Sequence, residues 1–330
     1  MSQNQLSPLD VCFYEAFEEE EDALKKYLPD SINAEFTWKT IQESGHSEPV
    51  APIISTRTQS KLPPEWSGKL TAILSRSTGF DHLIRYYNET GTKTSFGYLP
   101  LYCNRAVAEQ AMLLWMSLLR RLPRQLKQFQ EFDRDGLTGL ECEHKTLLVA
   151  GVGNIGYEVI KIGRGLGMQV FGVDIIQKHS DVNYINKAAG IVKADVVVCA
   201  MNLTKDNYGY FDYEFLKHGK KGIIFVNIAR GEMSPVEDLL RLMNEKHLGG
   251  LALDVYENEV NLAHHLRNKL ISESAEMHVI QKLSEFENVI MTPHNAFNTS
   301  ESVERKAEQS IRQIEHFLKN RSFIWPVNLI

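Results

Sequence analysis

The chain has 330 residues, more than one core comfortably serves, since single domains usually run to ~100–200 residues. Its 43% hydrophobic and 24% charged residues are ordinary for a soluble globular protein, and the net charge of −6 gives no footprint for nucleic acid or an anionic membrane. The longest apolar runs, Val196–Met201 and Gly222–Val226, fall far short of the ~18–20 residues that span a bilayer. The start, MSQNQLSPLD, has neither a basic stretch nor an apolar core, so no signal peptide is expected.

In the first hundred residues, short apolar runs alternate with polar segments. Val11–Phe17, Pro52–Ser55 and Ala72–Ser75 read as strands and Glu18–Tyr27 as a helix. The acids Glu18–Glu21 suit a solvated helix start, where they favour the dipole; an acidic docking patch is the alternative reading. Leu62-Pro63-Pro64 and Asn88–Gly91 are turn signals. The three- and four-residue spacing of apolar side chains predicts a long helix over Asn104–Phe132, kinked or broken at Pro123, with its Met, Leu and Trp stripe facing a core. The four cysteines show no metal spacing and are too few for a disulfide framework. Cys12 and Cys199 sit in strand-like runs and read as buried thiols, Cys142 in a polar loop and Cys103 near a helix start. Reduced thiols fit a cytoplasmic protein.

Beyond the polar stretch Asp133–His144 the pattern changes. KTLLVAGVGNIG, MQVFGVD, ADVVVCAM, KKGIIFVNIARG, LGGLALDVY and ENVIMTPH are six apolar runs that end in polar or glycine-rich residues. Helical segments such as Tyr157–Leu166 and Pro235–Lys246 separate several of them. Strands that are apolar throughout, alternating with helices, specify a parallel sheet covered on both faces, whose ligands bind beyond the carboxyl ends of the strands.

Gly151-Val152-Gly153-Asn154-Ile155-Gly156 satisfies G-x-G-x-x-G, follows the strand Thr146–Ala150 and opens a helix. The next strand ends in Asp174, eighteen residues after Gly156. Each part has a physical purpose. Gly151 permits the tight turn, Gly153 lets a pyrophosphate approach bare backbone, and Gly156 lets the helix pack on its strand. The helix N-terminus offers unpaired N–H groups to the phosphates. Asp174 suits a ribose diol and repels a 2′-phosphate, and no arginine follows it, so NAD is expected over NADP. A glycine-rich turn beside an ordinary aspartate is the alternative.

Three further strand ends each carry one reactive group: Arg230, then Glu259 five residues beyond Asp254, then His294. A guanidinium can hold a carboxylate or polarise a carbonyl. An imidazole can give a proton to a carbonyl oxygen while hydride arrives at carbon, and a nearby carboxylate orients it and favours its charged form. Taken singly, each has a plainer reading: a turn arginine, a solvated loop acid like its neighbour Glu257, a structural histidine like His264, His265 and His316. Their joint occurrence at the rim of a dinucleotide-binding sheet suits the reduction of a 2-oxo acid.

GVGNIG with Asp174, VNIARG, GLALDVYENE and NVIMTPHNAF, with SRSTGFDHL and LYCNRAVAEQA upstream, resemble in order and spacing the D-isomer-specific 2-hydroxyacid dehydrogenases, and within them the NAD-dependent D-lactate dehydrogenases. The resemblance implies an α/β protein of two Rossmann/flavodoxin-like doubly wound parallel-sheet domains with a cleft between them. Residues 1–103 plus 298–330 would form a discontinuous substrate domain, 104–297 the NAD-binding domain, and two long connecting helices, near Asn104–Phe132 and Thr299–Asn320, would join them. It implies that His294 is the acid/base, Glu259 its partner and Arg230 the substrate clamp. Backbone N–H groups of Thr78 and Gly79 would hold the substrate carboxylate, and Tyr102 and Phe297 would line a small pocket. Asp254 would contact the nicotinamide carboxamide; Asn154, Ile155 and Ala229 complete the cofactor set, and no metal is implied. Closure over the substrate and a homodimer are implied as well.

The long segment between Glu259 and His294, Val260 in place of a common proline, and Asn-Ala-Phe after His294 favour the D-lactate branch, with pyruvate as the first substrate. Hydroxypyruvate, glyoxylate or a larger 2-oxo acid are the alternatives within enzymes, and an NAD(H)-sensing corepressor the alternative of another class. Asn202, where relatives commonly have proline, and Ser234-Pro235, where Val-Asp is usual, depart from the pattern outside the proton-transfer set.

Overall fold

A computed structural model describes residues 8–267 and 275–329. The amino-terminal segment read for a leader and the middle of the long Glu259–His294 segment therefore lie outside the described residues. The chain divides into two compact units, one from Met1–Cys103 and Asn298–Ile330, the other Asn104–Phe297.

The first unit is a five-stranded sheet in the order β2-β1-β3-β4-β5, with every pair parallel. Its strands are β1 (Val11–Phe13), β2 (Ala34–Phe36), β3 (Ile53–Thr56), β4 (Ala72–Ser75) and β5 (Ser95–Gly97). Its helices are α1 (Glu18–Tyr27), a single turn α2 (Ile41–Ser44), α3 (Asp81–Thr90) and, from the returning chain, α12 (Ser300–Asn320), which packs against α1. The run Val11–Phe17 is strand only as far as Phe13. Glu15 then turns the backbone at φ +56, and its carboxylate accepts the N–H groups of Arg57, Gln59 and Ser60. Of the acids opening α1, Glu18 and Glu19 are exposed, Glu21 is half-buried and Glu20 is buried. β2, β5 and α3 carry too few apolar residues to show as periodic runs.

The second unit opens with α4 (Asn104–Leu119) and α5 (Leu122–Gln128). The long helix expected over Asn104–Phe132 is thus two helices, and the break precedes the proline. Arg121 takes the left-handed conformation at φ +53, and Pro123 falls in the first turn of α5, where its missing N–H costs nothing. The sheet runs β11-β10-β9-β8-β6-β7, again all parallel. Its strands are β6 (Thr146–Ala150), β7 (Gln169–Val173), β8 (Val196–Cys199), β9 (Ile223–Asn227), β10 (Leu248–Leu253) and β11 (Val289–Met291). A parallel bridge from Gly172 to Tyr184 adds a vestigial strand outside β7, so chain direction across the sheet reverses between β6 and β8.

The connecting helices are α6 (Asn154–Gly165), α7 (Lys187–Ile191), α8 (Tyr213–Lys217), α9 (Val236–Asn244), α10 (Glu259–Arg267) and α11 (Ala275–Ser284). Helix α4 lies against α6, β9 and β10. The central strands are buried on both faces, which is why they read as unbroken apolar runs. Each Leu, Ile or Val there contributes roughly 1.5–3 kcal/mol over an exposed position. Cys142 lies in the loop before β6, as its polar neighbours suggest. It is buried with its Sγ 2.9 Å from the Met116 sulfur, and all four cysteines are buried and free.

Candidate functional site

The glycine motif occupies the turn from β6 into α6. Gly151 has φ +87, and a Cβ there would meet Met201 N at 2.6 Å, so only glycine fits. At Gly156 a Cβ would lie 1.8 Å from the Gly151 carbonyl oxygen, the close helix-to-turn packing the motif requires. Gly153, the N-cap of α6, has nothing within 4 Å of its Cβ position, so its backbone faces open space. Bare backbone, open space and a twelve-residue helix N-terminus at Asn154 and Ile155 suit a pyrophosphate. Asp174, directly after β7, accepts the Val152 N–H at 2.6 Å and the Ile176 N–H at 2.9 Å, which fixes its carboxylate beside the glycine turn. Ile175 is 99% exposed and Ile176 is exposed too, an apolar pair suited to one face of an adenine. As two residues of a polar turn they gave no sequence signal.

The second group of residues lies at the carboxyl ends of β9, β10 and β11. His294 Nδ1 is 2.8 and 2.9 Å from the two Glu259 carboxylate oxygens, joining residues 35 apart in the chain. With Nδ1–H donating to the carboxylate, Nε2 is the nitrogen left for proton exchange. Glu259 is the first residue of α10. Its neighbour Glu257 is engaged elsewhere, accepting the Tyr208 hydroxyl, so the two acids have separate roles. The Phe297 ring stands edge-on to the imidazole, centroids 6.1 Å apart.

His294 has φ +50, a left-handed conformation that costs a non-glycine residue free energy and persists only where its surroundings enforce it. The enforcing group is Asp254, fully buried just after β10. Its Oδ1 accepts the Thr292 hydroxyl at 2.5 Å and the Asn295 N–H at 3.0 Å, and its Oδ2 accepts the Ala296 N–H at 3.0 Å. One carboxylate thus grips the chain on both sides of the histidine. The Tyr256 hydroxyl adds a bond to the Thr292 carbonyl. Burial pushes the Asp254 carboxyl above its ordinary range, with those hydrogen bonds opposing. This anchoring was not legible in the sequence, where the resemblance implied a nicotinamide contact for Asp254.

Arg230 follows β9 by way of Ala229. The Asn227 side chain holds this turn, accepting the Ala229 N–H and donating to the Arg230 carbonyl and to Ser234 Oγ. Ser234 is therefore a buried hydrogen-bonding partner of the arginine turn. Gly231 has no room for a side chain: a Cβ would meet Tyr256 C at 2.0 Å and Glu257 N at 2.1 Å. That packing ties the arginine turn to the loop leading into Glu259.

In the first unit, Thr78 and Gly79 form the turn after β4. The Thr78 hydroxyl donates to the Leu99 carbonyl and lies 3.4 Å from Cys103 Sγ, linking this turn to the segment that carries the buried Tyr102. Burial raises the Cys103 thiol, which argues against a nucleophile there. Among the described residues, no group of three or more metal-ligating side chains is placed to hold an ion.

A glycine turn at the sheet's reversal point and an imidazole–carboxylate pair at neighbouring strand ends define an oxidoreductase that uses a nicotinamide dinucleotide. The comparisons agree. The sequence model of the D-isomer specific 2-hydroxyacid dehydrogenase NAD binding domain matches residues 112–296. A D-lactate dehydrogenase of Staphylococcus epidermidis is 30% identical over 269 residues, 77% of this chain and 79% of its own. An aromatic 2-oxoacid reductase of Clostridium sporogenes is 33% identical over 225 residues, 66% of this chain and 67% of its own. The crystal structure of Aquifex aeolicus D-lactate dehydrogenase complexed with NAD and lactic acid superposes with a TM-score of 0.82 at 26% identity, covering 96% of this chain and 99% of that one. The chain belongs to the D-isomer-specific 2-hydroxyacid dehydrogenase family and is an NAD-dependent oxidoreductase.

Proposed function

We propose that the protein interconverts a short 2-oxo acid and its D-2-hydroxy acid, with pyruvate and D-lactate as the first pair to test. The observation that carries this reading is the His294–Glu259 pair, an imidazole oriented by a carboxylate with one nitrogen left to give or take a proton. Arg230 is assigned the substrate carboxylate, for which a planar fork of donors is suited. The N–H groups of Thr78 and Gly79 are assigned the same carboxylate, and Tyr102 and Phe297 the walls around the substrate's side chain.

Gly151, Gly153, Asn154, Ile155 and Gly156 would hold the pyrophosphate of NAD and Asp174 a ribose, with Ala229 and Asp254 on the nicotinamide side. When bound, the cofactor supplies or accepts the hydride at C2. His294 then delivers the proton to the carbonyl oxygen from Nε2, while Glu259 carries the opposite charge beside it.

We further propose a homodimer in a reducing, cytoplasmic setting. Leu126, Phe129 and Phe132 are all exposed on α5 and the turn after it, which suits burial against another protein surface, and the four free thiols suit such a compartment. Among the described residues no helix is long and apolar enough to cross a membrane.

The test is a panel of 2-oxo acids with NADH, followed by loss of the reduced-nicotinamide absorbance and by chiral analysis of the product. Turnover to the D-isomer is expected. Tight NADH binding with no turnover of any 2-oxo acid would favour the sensor alternative and overturn the enzyme.

A further inference from the structure

The segment that follows Asp174, residues 175–182, is braced against α6 by side chains to which the proposed mechanism gives no part. The rings of Tyr157, in the first turns of α6, and His179 lie 3.9 Å apart, centroid to centroid, and within 2° of parallel. The Tyr157 hydroxyl is 3.3 and 3.2 Å from the two Asp181 carboxylate oxygens. Arg164, two turns further along the same face of α6, places Nη1 2.7 Å from Asp181 Oδ2 and donates from Nη2 to the Asp181 carbonyl. Those Arg164 bonds, with the Tyr157 hydroxyl, hold the Asp181 carboxyl below its ordinary range, so it is ionised in the brace. The base of the segment is closed as well. The His179 N–H donates to the Tyr184 hydroxyl, and Val152 and Val182 both crowd Gly172, where a Cβ would meet them at 2.8 and 2.9 Å.

The brace is needed because the segment does little to hold itself. Ile175 and Ile176 are exposed, and the backbone bonds within it are Lys178 N–H to the Ile176 carbonyl and Val182 N–H to the His179 carbonyl. The Ile176 N–H is also one of the two donors that fix the Asp174 carboxylate. The placing of Asp174 and of both isoleucines against the glycine turn therefore depends on what ties residues 175–182 to α6. A segment ordered before its ligand arrives spares the ligand the entropy of ordering it. Of the ties, the exposed ion pair from Arg164 contributes little. The parallel ring pair adds attraction beyond the area it buries, so it carries most of the brace.

We propose that Tyr157 and His179 are positioning residues for the adenosine half of the NAD site. Their stack holds the segment after β7 so that Asp174 meets a ribose and Ile175 and Ile176 meet the adenine. The proposal rests on the assignment of those three residues to the adenosine, and it goes beyond that assignment by naming what sets the strength of the contact. Both rings belong to the β6–β7 edge of the sheet, whereas Arg230, Glu259 and His294 follow β9, β10 and β11, so loss of the stack acts on cofactor affinity and not on proton transfer.

The experiment is NADH titration by fluorescence, AMP competition against NADH and steady-state kinetics, in the wild type and in Tyr157→Leu, His179→Ala, Tyr157→Phe and Ile175→Ser. Tyr157→Leu and His179→Ala should each raise the NADH Kd and the AMP inhibition constant by about tenfold, the scale of a lost aromatic pair. Their kcat at saturating NADH should stay within about twofold, the mark of binding lost equally in ground and transition states. Tyr157→Phe keeps the stack and drops only the bond to the exposed Asp181, so its affinity should stay within about threefold of the wild type. Unaltered affinity in Tyr157→Leu and His179→Ala, a tenfold loss in Tyr157→Phe, or a kcat that falls as far as the affinity overturns the proposal. Ile175, 99% exposed, can be changed without touching the fold, and Ile175→Ser tests the assignment beneath. If it weakens NADH and AMP while the stack variants do not, the positioning role alone fails. If none of the four variants moves either ligand, the adenosine assignment fails with it.

Discussion

Replacing Asp254 by asparagine tests whether the anchor beneath His294 acts on catalysis or only on stability. The asparagine carbonyl oxygen can take the place of Oδ1 and keep the bonds from Thr292 and Asn295. Its NH2 then faces the Ala296 N–H, and a buried donor is left opposite a donor. An unsatisfied buried group of that kind costs ~1–3 kcal/mol. A neutral amide also avoids the burial that raises the Asp254 carboxyl, so the low half of that range is expected for global stability. The effect on the reaction should be larger. His294 sits at φ +50 and is gripped on both sides by this one carboxylate, so loosening Ala296 shifts the imidazole relative to Glu259. Displacements of about 1 Å at a reacting group can cost ~10²-fold. Asp254→Asn should therefore lose about 10–100-fold in kcat, on that scale. Urea unfolding, steady-state kinetics and NADH titration on the same preparation separate the terms. A variant with wild-type kcat and only reduced stability would refute the positioning argument.

His294→Ala should lower kcat by about 10²–10⁴, the range for general acid–base help, and near wild-type turnover would remove its role. Asp174→Ala should raise kcat/KM with NADPH relative to NADH, because the carboxylate beside the glycine turn no longer repels a 2′-phosphate; an unchanged ratio contradicts the assignment. Gly156→Ala puts a Cβ 1.8 Å from the Gly151 carbonyl, so the turn must open and NADH affinity should fall by at least about tenfold, read by fluorescence titration; unaltered affinity would show that the turn is not the phosphate site. Lys306, which burial pushes down to about 8 in the folded chain against 10.5 normally, releases its proton on folding between those values. The unfolded chain then holds more protons, so the wild type should gain stability over Lys306→Met as pH rises from 8 to 10. Urea midpoints that keep a constant difference across that window would contradict it.

The second unit was largely legible in the sequence, and the reason is its burial. A parallel sheet covered on both faces leaves each strand largely apolar, so six runs stand out. Gly151, Gly156 and Asp174 could be placed because their roles are set by backbone sterics and local spacing, which one sequence displays. The place where the reading slipped is also physical. The break expected at Pro123 in the helix over Asn104–Phe132 falls earlier, because periodicity persists across Arg120–Arg121 while the break is a single left-handed residue that leaves no pattern. Cys142 reads as a loop residue, and its burial left no local sign because it is set by Met116, 26 residues away.

The same distinction explains why the buried charges of the first unit, Glu20 paired with Arg76 and Lys306, left no trace. Glu20 sits in a row of five acids, three of them exposed, and Lys306 lies in a helix rich in Glu, Lys and Arg. By composition each belongs to a solvated face. Their burial follows from α1 packing on α12, which joins residues 286 apart, and from Arg76 and Arg57 emerging from adjacent strands beneath them. A fold that needed only to close these helices together could do so with apolar side chains of similar volume, often with no loss of stability.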